Sequence, residues 1–254
     1  MQTNTAILTR EQAQAIVEKV LKRSKADAAD VQVNTYTAGN IRFADNQVST
    51  AGSTTDAQLG VQSFFGARHA VVTTNDLSDE SIARVVAESE RLARLAPEDP
   101  ENMPQLAAQQ YTPVNSWFDS TAALTAADRA QAALSALDIA RKAGDLKAAG
   151  YLVTSAGALA VGNSAGMFAY HRSTNANYTL TVRTTDGTGS GWAAADNADW
   201  AQLDARRVAE TASEKARLSR NPVAIEPGRY TVILEPQAVG DLVQLIGSYA
   251  DARS

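Results

Sequence analysis

The chain contains no cysteine and only two histidines, His69 and His171, in 254 residues. Without thiols there are no disulfides, no cysteine nucleophile and no iron–sulfur ligation, and the redox compartment stays open. Zinc centres are built mainly from Cys and His, so a conventional zinc site would require both histidines to meet and recruit carboxylates. Basic residues are outnumbered, 23 Lys and Arg against 28 Asp and Glu for a net charge of −5, and they are scattered. That distribution argues against nucleic acid, whose binding needs a concentrated cationic face. No stretch approaches the roughly 20 apolar residues of a membrane span. The opening MQTNTAILTREQAQ has neither a basic nor an apolar leader region, so the sequence reads as cytoplasmic, with no membrane partner.

The 44% hydrophobic and 20% charged residues are those of an ordinary globular protein, long enough to bury a core. Thr9 and Gln12 have capping-box spacing, and Ala13, Ile16, Val17, Val20 and Leu21 follow at helical intervals, which predicts an amphipathic helix over 10–23. From Val31 to Thr74 the pattern changes to β-like runs: VQVNTY, NIRFAD, AQLGVQSFF and HAVVTT, with a hairpin turn near Gly66. Ser78, followed by Asp79 and Glu80, opens a second helix with Ile82, Val85, Val86, Ser89, Leu92 and Ala93 on one face. It stops at Pro97, and APEDPENMP is a linker by composition.

The same order then recurs. Thr125 caps a helix whose predicted buried stripe is Ala130, Ala133, Leu134 and Leu137, with Gly144 as its C′ residue. The runs YLVTSA, ALAVGN, MFAYHR, NYTLTVRTT and GWAAAD follow, and a helix over about 203–218 leads into the linker NPVAIEPG. The closing helices share Val86-Ala87-Glu88-Ser89 and Val208-Ala209-Glu210-Thr211, a spacing of 122 residues. The predicted fold class is therefore α+β: antiparallel sheets flanked by amphipathic helices, in tandem helix–strands–helix units. The units run over 1–104 and 105–228. Residues 229–254 start a further domain, with RYTVIL as a buried strand and Gln237–Ala250 as a helix that ends without a stop signal.

Candidate chemistry within the chain is thin. Asp186-Gly187-Thr188-Gly189-Ser190-Gly191 resembles a phosphate cradle, but a strand-like GWAAAD follows it where a helix N-terminus is needed, so it reads as a hairpin tip. Gly162-Asn163-Ser164-Ala165-Gly166 lacks nucleophile-elbow spacing and reads as a β-turn. By type, His69 and His171 can act as general bases, and the plainer reading of each is a surface histidine. Asp196/Asp199 and Glu98/Asp99 read as solvated carboxylates, and Trp117, Phe118, Trp192 and Trp200 as core or interface anchors. No constellation of these residues warrants a catalytic, cofactor-binding or metal assignment.

Several segments together resemble the TldD/PmbA family. Arg42 and Asn46 in NIRFADNQVSTAG, then LGVQSFFGARHAVVTTNDLSDESIARVV, are similar to its N-terminal domain, and GALAVGNSAGMFAYHRST to its Asn-Ser-x-Gly hairpin. The PEDP linker and the EPGRYTVIL strand fall in the family's order. The resemblance spans nearly the whole chain and implies a peptidase system. In it, a TldD subunit carries a zinc-binding His-Glu-x-x-x-His helix shortly after a strand like YTVIL, and a PmbA/TldE partner lacks that motif. Two His one turn apart hold the ion and the Glu polarises its water. Laid without gaps on Tyr230–Leu234, the motif falls on Gln244 to Tyr249, with Gln244 and Tyr249 at the His positions and Leu245 at the Glu position. The shifted alignment, Pro236 to Asp241, also lacks all three groups.

The resemblance thus implies a non-catalytic, PmbA/TldE-like subunit with no cofactor of its own. Zinc would sit in a TldD-like partner, the chain would dimerise with that partner or with itself, and the substrate would be a peptide or unfolded protein. Because the family runs to well over 400 residues, the chain is expected to be its N-terminal part. An alternative is a stand-alone binding or assembly module without peptidase activity. A third is a hydrolase that uses His171 with Asp or Glu.

Overall fold

The computed structural model describes residues 7–250. The opening segment 1–6 that entered the leader reading, and residues 251–254, lie outside the described residues. The chain divides into two compact units, 1–221 and 222–254.

In the first unit the capping signals set the helices. Thr9 Oγ1 accepts from Gln12 N and Gln12 Oε1 accepts from Thr9 N, which starts α1, Arg10–Arg23. Ser78 caps α2, Asp79–Leu95, and the Thr125/Asp128 pair caps α4, Ala126–Lys142, after a single turn, α3, Asp119–Ala122. Asp204 caps α5, Ala205–Leu218. In α4 the buried face is Arg129, Ala133, Ala136, Leu137 and Ala140. The stripe lies to one side of the expected one and leaves Leu134 half exposed. Small alanines on the inner face let the helix come close, and the larger leucine is turned outward.

The strands form one antiparallel sheet in the order β3-β2-β1-β4-β5-β6. These are β1 Ala28–Ala44, β2 Gln47–Phe65, β3 Arg68–Thr74, β4 Leu146–Asn163, β5 Phe168–Thr184 and β6 Ser190–Asn197. Several runs that the sequence separates are continuous: VQVNTY and NIRFAD are one strand through Gly39, and YLVTSA and ALAVGN one strand through Gly157. Gly39 is held between Ser53 on β2 and Thr154 on β4, so its backbone groups are paired on both sides and the ladder overrides the break. Asp45 and Asn46, both at positive φ, make the tight β1–β2 turn, and the Asn46 side chain bonds Leu146 O and Ala148 N on β4. The units α1-β1-β2-β3-α2 and α4-β4-β5-β6-α5 share one element order, joined at the centre of the sheet by β1 and β4.

The four long helices of the first unit, α1, α2, α4 and α5, cover the same face of its sheet. Val31, Val33, Ile41 and Phe43 of β1 share parity, and the register places Ala160 opposite Val33 and Leu152 opposite Ile41. One cluster packs α1 and α2 on Val31, Val33, Leu59 and Val61. The other packs α4 and α5 on Leu152, Tyr178, Leu180 and Val182. Within the first unit the opposite face carries no long helix. It presents Asn34, Tyr36, Gln58, Gln62, Leu159 and Trp192, a mixture of amides and half-exposed apolar groups.

The second unit contains α6, Pro236–Ser248, none of whose residues is buried. Residues 229–234, expected as a strand, have no regular structure there. A strand needs a neighbour to take its backbone N–H and C=O groups, and among the described residues none pairs with this segment. Among the described residues no helix is long and apolar enough to cross a membrane.

Candidate functional site

Between α2 and α3 the chain has no regular structure, apart from a turn near residue 100, for more than 20 residues, well beyond an ordinary connection. This strap begins at the β3 edge, where Asp99 N donates to Ala67 O at 2.9 Å. It then crosses the helix-free face. Gln105 Nε2 donates to Asp30 Oδ1 at 2.8 Å, and Asn163 Nδ2 donates to Leu106 O at 2.9 Å. At β5, beyond the end of β6, Thr174 N donates to Ser116 O at 2.8 Å, and the Arg172 guanidinium lies 4.6 Å from the Trp117 ring centroid. The strap is therefore fixed at the β2–β3 turn and at β1, β4 and β5, and it roofs two grooves.

The first groove, about 580 Å³, lies over β3, β2, β1 and β4. Its floor carries Asp30, Gln32, Gln58, Gln62 and Phe64, and its rim Met103, Leu106 and Met167. Burial raises the pKa of the Asp30 carboxyl above its ordinary value, and the hydrogen bond from Gln105 partly offsets this. The second groove, about 610 Å³, lies between strap residues 111–117 and β4–β5, and includes Arg10, Leu159, Tyr170, His171 and Arg172. Burial raises the Tyr170 phenol, whose hydroxyl donates to Leu8 O at 2.7 Å. Val161 lines both grooves. Side-chain amides, a few apolar contacts and one or two charges are suited to holding a polypeptide backbone, which offers alternating donors and acceptors.

The residues singled out by type have structural partners. His69 Nδ1 lies 3.0 Å from Gln62 Nε2 and its Nε2 3.1 Å from Asp99 Oδ2, a pair of contacts that the Nε2–H tautomer satisfies by accepting from the amide and donating to the carboxylate, so both ring nitrogens are engaged. His171 lines the second groove, but no hydrogen bond or ion pair to its ring forms among the described residues. The base–orienter pair that a hydrolase at His171 requires is not assembled there. Glu98 faces Arg68 at 3.5 Å. Asp196 accepts from the Asn175 and Asn177 amides, and Asp199 caps a short 3₁₀ turn and accepts from Ser120. Ser164 Oγ accepts from Ala29 N at 2.8 Å and ties the β4–β5 turn to β1, and the Gly187 loop is the tip of the β5–β6 hairpin. Trp200 packs against the second core cluster, and Trp117 Nε1 donates to Asp119.

Of the residues on which the resemblance lays a zinc helix, Gln244 and Leu245 lie within α6 and Tyr249 is its C-cap. An amide, an alkyl group and a phenol do not make a zinc donor set. Among the described residues, no group of three or more His, Asp or Glu could hold a metal ion. The side chains of Gln244, Leu245 and Tyr249 do not fit a zinc centre.

The sequence pattern missed the strap and both grooves. Their signal was the length of the aperiodic segment after Pro97, together with the pairing of Asp30, Gln105 and Asn163, which are far apart in sequence.

Residues 29–93 match the sequence profile of PmbA/TldA metallopeptidase domain 1, and residues 118–220 that of the PmbA/TldA metallopeptidase central domain. No curated protein matches the sequence. Solved structures share the fold, three of them as follows. A proposed modulator of a DNA gyrase from Thermotoga maritima aligns with TM-score 0.76 at 10% identity, over 85% of this chain and 50% of its own. TldE from Thermococcus kodakarensis aligns with TM-score 0.73 at 15% identity, over 80% and 47%. A proposed modulator of DNA gyrase from Bacteroides thetaiotaomicron aligns with TM-score 0.76 at 16% identity, over 94% and 57%. The chain spans about half the length of these proteins.

Proposed function

Since the chain belongs to the PmbA/TldD family, we propose that it acts as the non-catalytic, PmbA/TldE-type subunit of a metallopeptidase. In this reading zinc is held by a TldD-type partner, and residues 229–254 begin the family's C-terminal domain. The observation that carries it is the donor set at the zinc-helix positions, Gln244, Leu245 and Tyr249, none of which can grip the ion or activate its water. The likeness to a protein named TldE agrees with it. The helix-free sheet face would then be a wall of the substrate chamber. An extended peptide would lie along the amides of Gln32, Gln58 and Gln62, with its apolar side chains against Phe64 and Leu159.

The test is to purify the chain alone and with a His-Glu-x-x-x-His family member from the same genome. Metal content is read by elemental analysis and cleavage on an unfolded protein. The expected result is sub-stoichiometric zinc and no cleavage alone, a stable complex with the partner, and cleavage by the complex that exceeds the partner's own. Zinc near one per chain in the purified protein would overturn the reading, as would cleavage by the chain alone. One observation favours a stand-alone binding module: both grooves are completed entirely by residues of the first unit. That reading predicts peptide binding with no complex formed, and the same experiment separates the two.

A further inference from the structure

On the helix face, beside the stretch of β2 that no helix covers, is a third cavity of about 260 Å³. Thr37, Gly39, Ser53, Thr121, Arg129 and Thr154 line it. Arg129, from the first turn of α4, is only 5% exposed. Its Nη1 donates to Leu124 O at 3.2 Å and to Thr154 Oγ1 at 3.1 Å, while Nε is buried with no hydrogen-bond partner. Gly39 makes room for it, since a Cβ there would lie 2.3 Å from the guanidinium carbon. No ion pair to Arg129 forms among the described residues. The adjacent Asp128 is occupied by the backbone N–H and hydroxyl of Thr125.

A guanidinium withdrawn from water is costly unless an anion and hydrogen bonds replace its hydration, and arginine keeps its charge even when burial lowers its pKa, as it does here. The protein supplies carbonyl and hydroxyl acceptors for one nitrogen; the neighbouring Asp128 attracts the guanidinium but forms no ion pair with it, and Nε is left without an acceptor. The hydroxyl of Thr37 accepts from Thr55, which leaves its own proton to donate beside the cavity. We propose that this cavity is a carboxylate-binding site with Arg129 as its cation. Charge sets the ligand class: Arg129 is the only charged residue among the lining, so it balances one negative charge. A phosphate dianion would enter with a second charge that nothing there neutralises. The carboxylate comes from a small free acid or from a peptide C-terminus, and this site stands independently of any peptidase partner.

The test follows the Arg129 Nε–H resonance in the ¹⁵N-labelled chain, assigned by its loss in Arg129→Lys. Sodium acetate is titrated against sodium chloride at fixed ionic strength, then inorganic phosphate, then tetra-alanine with a free or an amidated C-terminus. The expected result is a saturating shift with acetate and none with chloride or phosphate. If free tetra-alanine saturates at about tenfold lower concentration than acetate while its amide is silent, the ligand is a peptide terminus. If acetate and free tetra-alanine saturate alike, it is a small acid. Absence of saturation with both acetate and tetra-alanine overturns the proposal, as does stronger binding of phosphate. Should Arg129→Lys not fold, the melting midpoint of the unsubstituted chain decides. A rise that saturates with acetate relative to chloride supports the site, and no difference between the salts overturns it.

Discussion

The two halves of the sheet share one element order but bury their helices in different ways. Under α1 and α2 the contacts are made by large branched side chains, Val17, Val20, Leu59, Val61, Ile82 and Val85. Under α4 and α5 they are largely alanines, among them Ala133, Ala136, Ala140, Ala209, Ala212 and Ala216, set against a few bulky strand residues such as Tyr178 and Leu180. Small residues permit a close approach of helix to sheet. A Cβ on Gly191 of β6 would lie 2.1 Å from Ala212 O, and one on Gly189 would lie 2.2 Å from Ala216 O. One topology is thus filled by side-chain volume in the first half and by backbone proximity in the second, and the two should fail in opposite ways.

The sharpest break is Gly191→Val. The obstacle is helix backbone, which cannot swing aside as a side chain can, so α5 must lift from the sheet. The expected loss is about 3 kcal/mol or more, read from the urea midpoint at unchanged slope. The control is Gly60→Ala in the first half, where the new methyl meets only Thr73 Cγ2 at 3.8 Å. That change should stay within about 0.5 kcal/mol. Equal losses from the two would refute the difference in packing.

Volume removal should instead injure the first half. Leu59 is fully buried, and Leu59→Ala leaves a cavity among Val33, Val61 and Ile82 that rigid branched neighbours fill poorly. A loss of about 3 kcal/mol is expected, and addition of a small apolar molecule to the cavity should recover part of it. A loss below about 1 kcal/mol would mean that the first half collapses as readily as the second.

Tyr178 tests the second half from the polar side. Its ring is fully buried beside Phe43, its hydroxyl has no hydrogen-bond partner, and burial pushes the phenol far up. An orphaned buried hydroxyl carries a desolvation penalty with no return, so Tyr178→Phe should raise stability by about 1 kcal/mol. A loss of similar size would show that the hydroxyl has a partner, such as a buried water.

How much of this could be read in the letters follows from the range of each interaction. Thr9 with Gln12, Ser78 before Asp79 and Thr125 with Asp128 announce helices because a cap is satisfied within four residues. The Gly187 hairpin tip is local in the same way. The family resemblance was legible because LGVQSFFGARHAVV and GNSAGMFAYHR keep their order. The single sheet was not legible: Gly39 and Gly157 look like breaks until β1 and β4 are known to lie side by side. Nor was the strap, whose fixed points, Asp30 with Gln105 and Asn163 with Leu106, are more than 50 residues apart. Arg129 was hidden for another reason, because its spacing suits a helix surface and only Gly39, on a distant strand, makes its burial feasible.

The smallest effect separates what is local from what is packed. At the β5–β6 tip, Asp186 accepts from Thr184 Oγ1 at 2.6 Å, Thr188 Oγ1 at 2.9 Å and Thr188 N at 3.0 Å, and these bonds lower its pKa to about 2. The bonds favour the ionised carboxylate, so their contribution is present above the ordinary carboxylate pKa and is lost as the pH falls through about 2. Asn keeps one acceptor oxygen and no charge. The gap in urea midpoint between the unsubstituted chain and Asp186→Asn should therefore be small and constant above about pH 5. It should narrow steadily below that pH, and it should do so equally in a Gly60→Ala background, which leaves the packing of the second half untouched. A gap that stays flat as the pH falls to about 2 would show that the tip is held by its glycines and by the nearby α5 backbone, with no part played by the carboxylate.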